Sequence, residues 1–384
     1  MQTIDATLAW AATDADRVKV RLPGTARAQA PAATLETARR AAGLVGITRV
    51  ADITRLDVIG IPTYQAIRPL SRTLAVSQGK GVTPELAMLS AMLESIETWH
   101  VEQPLPATVT APPRELDLPY DLTALPLTAP HLLHDRLPLD WLPARSLADG
   151  GETLVPRDSV RLSLERPTDW RAPAFLASSN GLASGNTVVE ASLHGLYEVI
   201  ERDAIAAATR GRGIRVDPHT LRSAIVDDLC TTIARAGVVL ETRLLSSPTG
   251  LPCFLAWVAC DDYPEAMYGF GCHLDAATAL SRAITEATQT RLAYIAGARD
   301  DLRADVGGGA PRRPEPVDPM ADAAALVGEQ PDHDSLLADL AYVVRLATTA
   351  YGHAPLVADL SRAEIGVSVV KVLAPGSRVS LEVL

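Results

Sequence analysis

Pairs of acidic or amide side chains recur along the chain, three residues apart within each pair. The pairs are Glu94 with Glu97, Glu198 with Glu201, and Glu286 with Gln289. In an α-helix such positions lie on one face, and by the same arithmetic Ser90 joins the first pair and Glu190 the second. Converging carboxylates repel one another unless divalent cations lie between them, and Mg²⁺ commonly links a few carboxylates to substrate phosphates. If the helices that carry these pairs are buried together, the carboxylates would suit a magnesium ion bound to phosphate.

These pairs belong to an internal repeat. Residues 81–97 placed over residues 185–201 give identities that include both acidic positions, and residues 275–289 fit more loosely. The identical positions are Gly81/Gly185, Thr83/Thr187, Ala87/Ala191, Leu89/Leu193, Glu94/Glu198, Ile96/Ile200 and Glu97/Glu201. Each copy reads as a glycine-rich turn followed by a helix that carries the pair three turns in.

The helix around the first pair is apolar on nearly every side, and residues 84–98 contain no Lys or Arg. Such helices are usually buried, where a carboxylate must become neutral, find a partner or bind metal. One Glu-x-x-Glu pattern alone is better explained by a solvated face or a structural ion pair. Three copies on apolar helices favour a shared metal site instead.

The remaining pattern predicts an α+β fold with antiparallel pairing. Helices are expected at about 32–44, from 84, at about 187–209, 276–297 and 334–351, and a strand at 174–179 (AFLASS). The segments SQGKG (77–81) and NGLASGN (180–186) read as turns whose N–H groups could hold anions, with Lys80 adding positive charge. Residues 104–145 contain many prolines and short apolar runs, so loops and short elements are expected there, and about 303–319, rich in glycine and proline, is expected to be a surface loop.

Composition excludes several classes of function. The net charge is −11 and aromatic residues are 4% of the chain, which argues against nucleic-acid binding. No signal peptide or membrane-spanning run is visible, so a cytoplasmic protein without a membrane partner is expected. The four cysteines form no CxxC pair and are expected to be buried thiols. Lys80 is followed by glycine rather than Ser or Thr, so there is no Walker A motif.

Three segments of the chain resemble the YcaO-domain family of ATP-using enzymes: QGKGVTPELAMLSAMLESIE, SSNGLASGNTVVEASLHGLYEVIERDA and ALSRAITEATQTRLAYIAGARDD. The resemblance covers about residues 24–376. It implies an α+β fold of YcaO type, in which internally repeated helix units pack on mixed or antiparallel sheets. One domain over 1–384 is expected, built of interlocked subdomains with repeat motifs at 77–101, 178–210 and 271–301.

The resemblance also implies an ATP site between the repeated helices, with Mg²⁺ held by carboxylates. Together with the repeat, it predicts the magnesium ligands Glu94, Glu97, Glu190, Glu198 and Glu201. The residues expected to contact ATP are Arg27, Thr34, Lys80, Ser90, Asn186, Arg202, Glu286, Gln289 and Arg291. A structural ion pair remains the alternative for Arg202 and Arg291. No general base is identified, because His100, His194 and His273 are each better explained as packed or solvated.

Family members phosphorylate the oxygen of a backbone amide, which makes it a better leaving group. Two departures from the family pattern are visible: Thr98 stands where many relatives have arginine, and the chain ends SRVSLEVL rather than in a proline-rich tail. The missing tail and the absence of a fused leader-binding domain favour the thioamide-forming branch, with a precursor peptide or protein as substrate, a TfuA-like partner and an external sulfur source. Azoline formation by Cys, Ser or Thr, amidine formation, and a non-catalytic ATP-binding accessory role stay open. Homodimers are common among relatives, but no residue pattern here signals one.

Overall fold

In the computed structural model the described part of the chain comprises residue 11 and residues 17–162, 174–208, 213–261, 265–299 and 319–380. Its helices lie on and between four sheets, so the predicted α+β class is confirmed. The helices are α1 (Pro31–Val45), α2 (Pro84–Glu102), α3 (Arg157–Val160), α4 (Val188–Ala207), α5 (Ala224–Arg235), α6 (Ala276–Ala296), α7 (Ala323–Val327) and α8 (Leu336–Tyr351). None of these described helices has the length and apolar character needed to cross a membrane.

Strand pairing is antiparallel in the described residues except between β10 and β14. Two sheets come from the N-terminal part: β1 (Val20–Leu22) with β2 (Thr25–Arg27), and then β3 (Arg49–Asp52), β4 (Thr63–Ile67) and β5 (Val76–Lys80) in that order. A six-stranded sheet has the order β6 (Val109–Ala111), β7 (Leu139–Ser146), β15 (Leu356–Asp359), β16 (Ser368–Leu373) and β9 (Leu182–Gly185), with β8 (Glu152–Pro156) also on β7. A five-stranded sheet has the order β13 (Met267–Cys272), β12 (Cys253–Ala259), β11 (Val239–Leu245), β10 (Ile214–Asp217) and β14 (Ala321–Asp322).

The sequence repeat is a structural repeat of strand, short bend and long helix. Its copies are β5 with α2, β9 with α4 and β13 with α6. Each helix is capped at the same repeat position, where Thr83, Thr187 or Asp275 accepts a hydrogen bond from the backbone N–H three residues on. Because the caps are equivalent, the alignment of the first two copies also holds for the third, with Asp275 at the position of Thr83 and Thr187.

The three units form a closed ring. Helix α2 packs on its own strand and on β9, α4 packs on β9 and β13, and α6 packs on β13 and β5. Each of these strands is the last strand of its sheet. The ring therefore has approximate threefold symmetry, and the middle of each helix faces a common centre.

The glycine-rich segments are strands rather than the turns predicted from sequence. SQGKG lies almost entirely in β5, and NGLASGN contains β9. A Cβ on Gly79 would stand 2.0 Å from Ala91 N and 2.2 Å from Ala87 O, both in α2. Glycine is therefore required here for close packing of a helix on a strand, a demand that sequence alone does not distinguish from turn formation.

The predicted strand at 174–179 is also wrong, because within it only Phe175 makes a bridge, to Leu127. The strand of this region begins three residues beyond the predicted segment, at Leu182, where pairing with β16 is available. The predicted helices, by contrast, are found within two or three residues of their expected limits. Of the loop predicted at about 303–319, all but the last residue lies outside the described residues.

Candidate active site

Five carboxylates from the three repeated helices gather at the centre of the ring. This glutamate cluster consists of Glu94, Glu97, Glu198, Glu201 and Glu286. Backbone groups of the repeated strands fix two of them: Glu94 Oε2 accepts from Gln78 N at 2.9 Å, and Glu97 Oε1 accepts from Ser184 N at 2.8 Å. The Ser184 hydroxyl also donates to Glu97 Oε1, at 2.6 Å. The backbone N–H groups of SQGKG and NGLASGN were expected to bind an anion. Two of them, Gln78 N and Ser184 N, instead orient carboxylates.

The members of the cluster affect one another electrostatically. Burial raises the pKa of Glu97 to about 8, and the charges of Glu94 and Glu198 act in the same direction against the hydrogen bonds from Ser184. Burial also raises the pKa of Glu201 to about 7, with a further contribution from Glu286. Raised pKa values at several converging carboxyls indicate a site that lacks part of its positive charge.

Lys80 and Arg202 supply positive charge to the cluster. Lys80 Nζ pairs with Glu286 Oε2, and although burial acts to raise the pKa of Glu286, Lys80 lowers it overall. Burial acts to lower the pKa of Arg202, but Glu198, Glu201 and Glu286 raise it overall. Of the predicted ATP contacts, Lys80, Arg202 and Glu286 are therefore brought together with four of the predicted metal ligands.

A second group of predicted residues forms a hydrogen-bonded chain near the start of α4. Thr34 Oγ1 donates to Asn186 Oδ1 at 2.8 Å, and Asn186 Nδ2 donates to Glu190 Oε2 at 2.9 Å. Ala28 N donates to the same carboxylate oxygen at 2.9 Å, and Arg27 Nε lies 3.6 Å from Glu190 Oε1. We call Arg27, Thr34, Asn186 and Glu190 the nucleoside group, because carboxylate, amide and hydroxyl groups suit the sugar of a nucleotide.

Glu190 is therefore placed differently from the other predicted metal ligands. It precedes Glu198 by eight residues on α4, a separation of about 12 Å along the helix axis. Its carboxylate is already held by two N–H donors and faces Arg27. That Glu190 holds Mg²⁺ with the other four stays a prediction, and the structure places its carboxylate in the nucleoside group.

Arg291 is likewise not brought into the site. Its Nε lies 2.8 Å from Asp57 Oδ2, its Nη2 lies 3.1 Å from Asp57 Oδ1, and its Nη1 lies 3.4 Å from Cys260 Sγ. Arg291 stands about 140° around α6 from Glu286, so the two side chains leave the helix on different faces. Arg291 thus forms the structural ion pair that was the alternative at the sequence level, and its contact with ATP stays a prediction.

Ser90 and Gln289 occupy repeat positions that face the ring centre. Ser90 is half-buried and corresponds to His194 on α4 and Arg282 on α6, and Gln289 corresponds to Glu97 and Glu201. Sequence reasoning missed Arg282, whose charge acts on Glu198, Glu201 and Glu286. The repeat register contained the signal, because it aligns Arg282 with Ser90.

Lys371 on β16 was missed as well. It is 1% exposed, and its Nζ donates to Ser178 O at 2.5 Å. Burial lowers the pKa of Lys371 to about 8, against the charge of Glu198. A single lysine in the otherwise apolar run VSVVKVLAP was the signal available in the sequence, because buried lysines are rare without a partner.

The glutamate cluster fits Mg²⁺ in a particular way. Within the described ranges, no three His, Cys, Asp or Glu side chains are grouped closely enough to enclose a metal ion. Mg²⁺ seldom occupies such a cage and is usually held by one or two carboxylates together with substrate phosphates and water. The spread-out carboxylates, with raised pKa values, therefore fit an ion that arrives with a polyphosphate.

Comparison with known proteins gives the family. Residues 78–378 match the family model described as YcaO cyclodehydratase, ATP- and Mg²⁺-binding. The chain belongs to the YcaO family. This confirms the resemblance recognised in the sequence, together with ATP and Mg²⁺ as the expected cofactors. The match includes the glutamate cluster but begins downstream of Arg27 and Thr34.

Two relatives support the assignment to the YcaO family. An uncharacterised protein of Mycobacterium tuberculosis (strain CDC 1551 / Oshkosh) is 38% identical over 340 residues, which cover 86% of this chain and 77% of the relative. An uncharacterised protein in the tfuA 3′ region of Rhizobium leguminosarum bv. trifolii is 40% identical over 296 residues, which cover 72% of this chain and 69% of the relative.

Solved structures show that the fold is of YcaO type. The YcaO protein of Methanopyrus kandleri, bound with AMPPCP and Mg²⁺, matches with a TM-score of 0.74 and 24% identity over 94% of both chains. A heterocyclase in complex with substrate and cofactor matches with a TM-score of 0.77 and 23% identity over 94% of this chain, which spans only 55% of that heterocyclase. At these identities the likeness concerns the fold alone.

The raised pKa values predict how the stability of the metal-free protein depends on pH. Folding raises the pKa of Glu97 from the usual 4.5 to about 8, so between these values the folded state binds more protons than the unfolded state. Stability must then fall as the pH rises through this window. We expect the melting temperature in EDTA to decrease towards alkaline pH.

Glu97→Gln is the matched test of this pH dependence, since glutamine can still accept the hydrogen bonds from Ser184. The variant should melt higher than the parent protein in alkaline buffer and close to it in acidic buffer. Mg²⁺ with a non-hydrolysable ATP analogue should raise the melting temperature of the parent most in alkaline buffer. Parallel melting curves for parent and variant across the pH range would contradict this account of Glu97.

Proposed function

We propose that this protein phosphorylates the oxygen of a backbone amide in a peptide or protein substrate, using ATP and Mg²⁺. The observation that carries the proposal is that two arrangements lie next to each other along α4. The glutamate cluster lies at the middle of α2, α4 and α6, and the nucleoside group lies at the start of α4. A nucleotide whose sugar contacts Asn186 and Glu190 would extend its phosphates along α4 towards Glu198 and Glu201.

Each group has a role in this proposal. Thr34, Asn186 and Glu190 orient the sugar, and Arg27 and Arg282 offset phosphate charge with planar guanidinium donors. Lys80 holds Glu286 in place beside the phosphates. Bound Mg²⁺ would supply neutralisation of charge between the carboxylates and the phosphates, the main requirement of phosphoryl transfer. The protein thus contributes position and charge balance rather than a covalent intermediate.

We infer that the product is a thioamide. Sulfide adds to the amide carbon, the resulting oxyanion takes the γ-phosphoryl group of ATP with release of ADP, and phosphate leaves as the C=S bond forms. The balance is amide, hydrogen sulfide and ATP giving thioamide, ADP and phosphate. The support is the relative in the tfuA 3′ region, which also makes a TfuA-like protein the proposed partner. A homodimer is a further proposal for the assembly.

Azoline formation is the second candidate, favoured by the description of the family as cyclodehydratases. In that reaction a Cys, Ser or Thr of the substrate attacks the preceding amide carbon, and phosphorylation again removes the oxygen. The two products differ in mass, because a thioamide exchanges oxygen for sulfur whereas an azoline loses one water. The third candidate, a non-catalytic ATP-binding accessory protein, would form neither product.

The test is mass spectrometry of a precursor peptide incubated with the protein, MgATP, sulfide and a TfuA-like protein. We expect sulfur-for-oxygen exchange and release of one phosphate per exchange, both dependent on the peptide. A loss of water without sulfide would replace the thioamide proposal by cyclodehydration. ATP binding without any peptide-dependent phosphate release would support the accessory role and overturn the proposed enzyme.

A further inference from the structure

A cavity adjoins the candidate active site. Its volume is about 450 Å³, within the usual range of about 300–1,000 Å³ for ligand sites. The walls come from the β1–β2 hairpin, the starts of α5, α6 and α8, and the segment after α7. No residue of the glutamate cluster or the nucleoside group lines this cavity.

The approximate threefold symmetry relates the cavity to the nucleoside group. It lies at the start of α6, where Leu274 and Thr278 occupy the repeat positions of Asn186 and Glu190 on α4. The cavity is therefore the third unit's counterpart of the nucleoside group. An apolar side chain and a small hydroxyl replace the amide and the carboxylate, so the counterpart lacks the groups that suit a nucleotide's sugar.

A short chain of contacts links the cavity to the nucleoside group. Ala26 lines the cavity, and the next residue, Arg27, leaves the opposite face of β2 to contact Glu190 and the ring of His194. On the cavity wall, the centroid of the His273 ring lies 4.8 Å from that of the Tyr197 ring, with the rings tilted by 39°, and Tyr197 follows His194 by three residues on α4. Strand β2 and the rings of His273 and Tyr197 thus separate the cavity from the nucleoside group.

The charged side chains of the cavity wall already have partners: Asp275 Oδ1 accepts from Thr278 N at 2.7 Å as the cap of α6, and the others form ion pairs. Lys19 Nζ lies 2.8 Å from Asp339 Oδ2 and 3.4 Å from Asp332 Oδ1, and Arg21 Nη1 lies 2.7 Å from Asp332 Oδ1. Much of the remaining wall is apolar, formed by Leu22, Ala26, Ile225, Leu274, Ala276 and Val327. An uncharged ligand fits these walls better than a second nucleotide or an acidic peptide would.

We propose that this cavity binds an uncharged, extended segment of the substrate polypeptide next to the amide that is phosphorylated. The inference rests on the proposed function, which requires a peptide to reach the phosphates from outside the nucleoside group. A segment in the cavity would present its neighbouring amide across the β1–β2 hairpin, beside Arg27 and His194. The cavity then selects substrates by side chains that flank the modified residue.

Photo-crosslinking tests the proposal without requiring turnover. One pool of blocked pentapeptides contains Gly, Ala, Val and Leu around a central photo-leucine, and a matched pool carries Glu and Lys in place of Val and Leu. We expect the uncharged pool to label residues of the cavity wall, and the charged pool to label them at least about tenfold less. No labelling, labelling elsewhere, or equal labelling by both pools would overturn the inference.

Ser223→Trp supplies the blocking variant and Ala224→Trp its control. Ser223 lines the cavity and makes no capping hydrogen bond, whereas its neighbour Ala224 is exposed outside the cavity. Labelling should fall at least about tenfold in Ser223→Trp and persist in Ala224→Trp, with MgATP binding unchanged in both. Equal labelling of the two variants would refute the proposed site. If Ser223→Trp does not fold, Ala277→Trp blocks the cavity from the first turn of α6.

The outcome is separable from that of the proposed function. Thioamide or azoline formation without labelling of the cavity would overturn this inference and leave the enzyme intact. Labelling of the cavity without peptide-dependent phosphate release would support the site and overturn the proposed chemistry.

Discussion

Replacing Glu201 with glutamine is expected to reduce ATP turnover by at least about 100-fold while the protein still folds. Residues that only support a metal ligand change metal affinity or activity by about 10- to 100-fold, so loss of a ligand should cost no less. Glu201 is buried, and the charge of Glu286 adds to the burial that raises its pKa to about 7. Removing that negative charge lowers repulsion in the metal-free protein, so the variant should be at least as stable as its parent.

Phosphate release from MgATP measures the effect, with the melting temperature as the test of folding. Glu97→Gln should lose turnover in the same way, whereas Glu364→Gln, an exposed carboxylate far along the chain, should retain it. Near-normal turnover in a folded Glu201→Gln protein would remove the basis of the magnesium assignment. A rescue of Glu201→Gln by high Mg²⁺ would show that affinity rather than the chemical step was lost.

Replacing Gly79 with alanine is expected to destabilise the fold by about 3 kcal/mol or more. The new Cβ would stand 2.0 Å from Ala91 N and 2.2 Å from Ala87 O. Both atoms belong to the backbone of α2, so the collision cannot be relieved by rotating a side chain. Strand β5 or helix α2 must shift, and that shift would also move Glu94 and Lys80.

Urea unfolding measures the loss, and Gly43→Ala is the control. Gly43 lies inside α1, and a Cβ there would meet no atom within 4 Å. Alanine at this helical position should stabilise the protein by about 1 kcal/mol or less. If both substitutions changed the unfolding midpoint in the same direction, close packing of β5 on α2 would not explain the glycine.

The helices of this protein were predictable because their signals are local. Capping residues such as Thr83 and Thr187 mark the starts of α2 and α4, and apolar faces mark their lengths. The repeat also predicted that Glu94, Glu97, Glu198 and Glu201 would gather, since equivalent positions in a symmetric arrangement face the same centre. Family resemblance and residue chemistry agreed on these carboxylates.

Other features depend on contacts between segments distant in the chain. Arg291 pairs with Asp57, 234 residues away, and no periodicity in either segment reveals this. Lys371 and Arg282 reach the cluster only because β16 lies beside β9 and α6 closes the ring. The glycines of β5 and β9 were misread for a similar reason, since their sequence shows the absence of a side chain but not the helix that fills its place.

The ring also bears on the behaviour of the protein when it is partly unfolded. The last strand of a sheet can pair with another molecule through its free N–H groups, the starting point of aggregation. Here Gln78 N on β5 and Ser184 N on β9 donate to Glu94 and Glu97. The same carboxylates that suit a magnesium ion therefore also cap two strand edges that the ring buries, so opening of the ring would expose both edges to self-association.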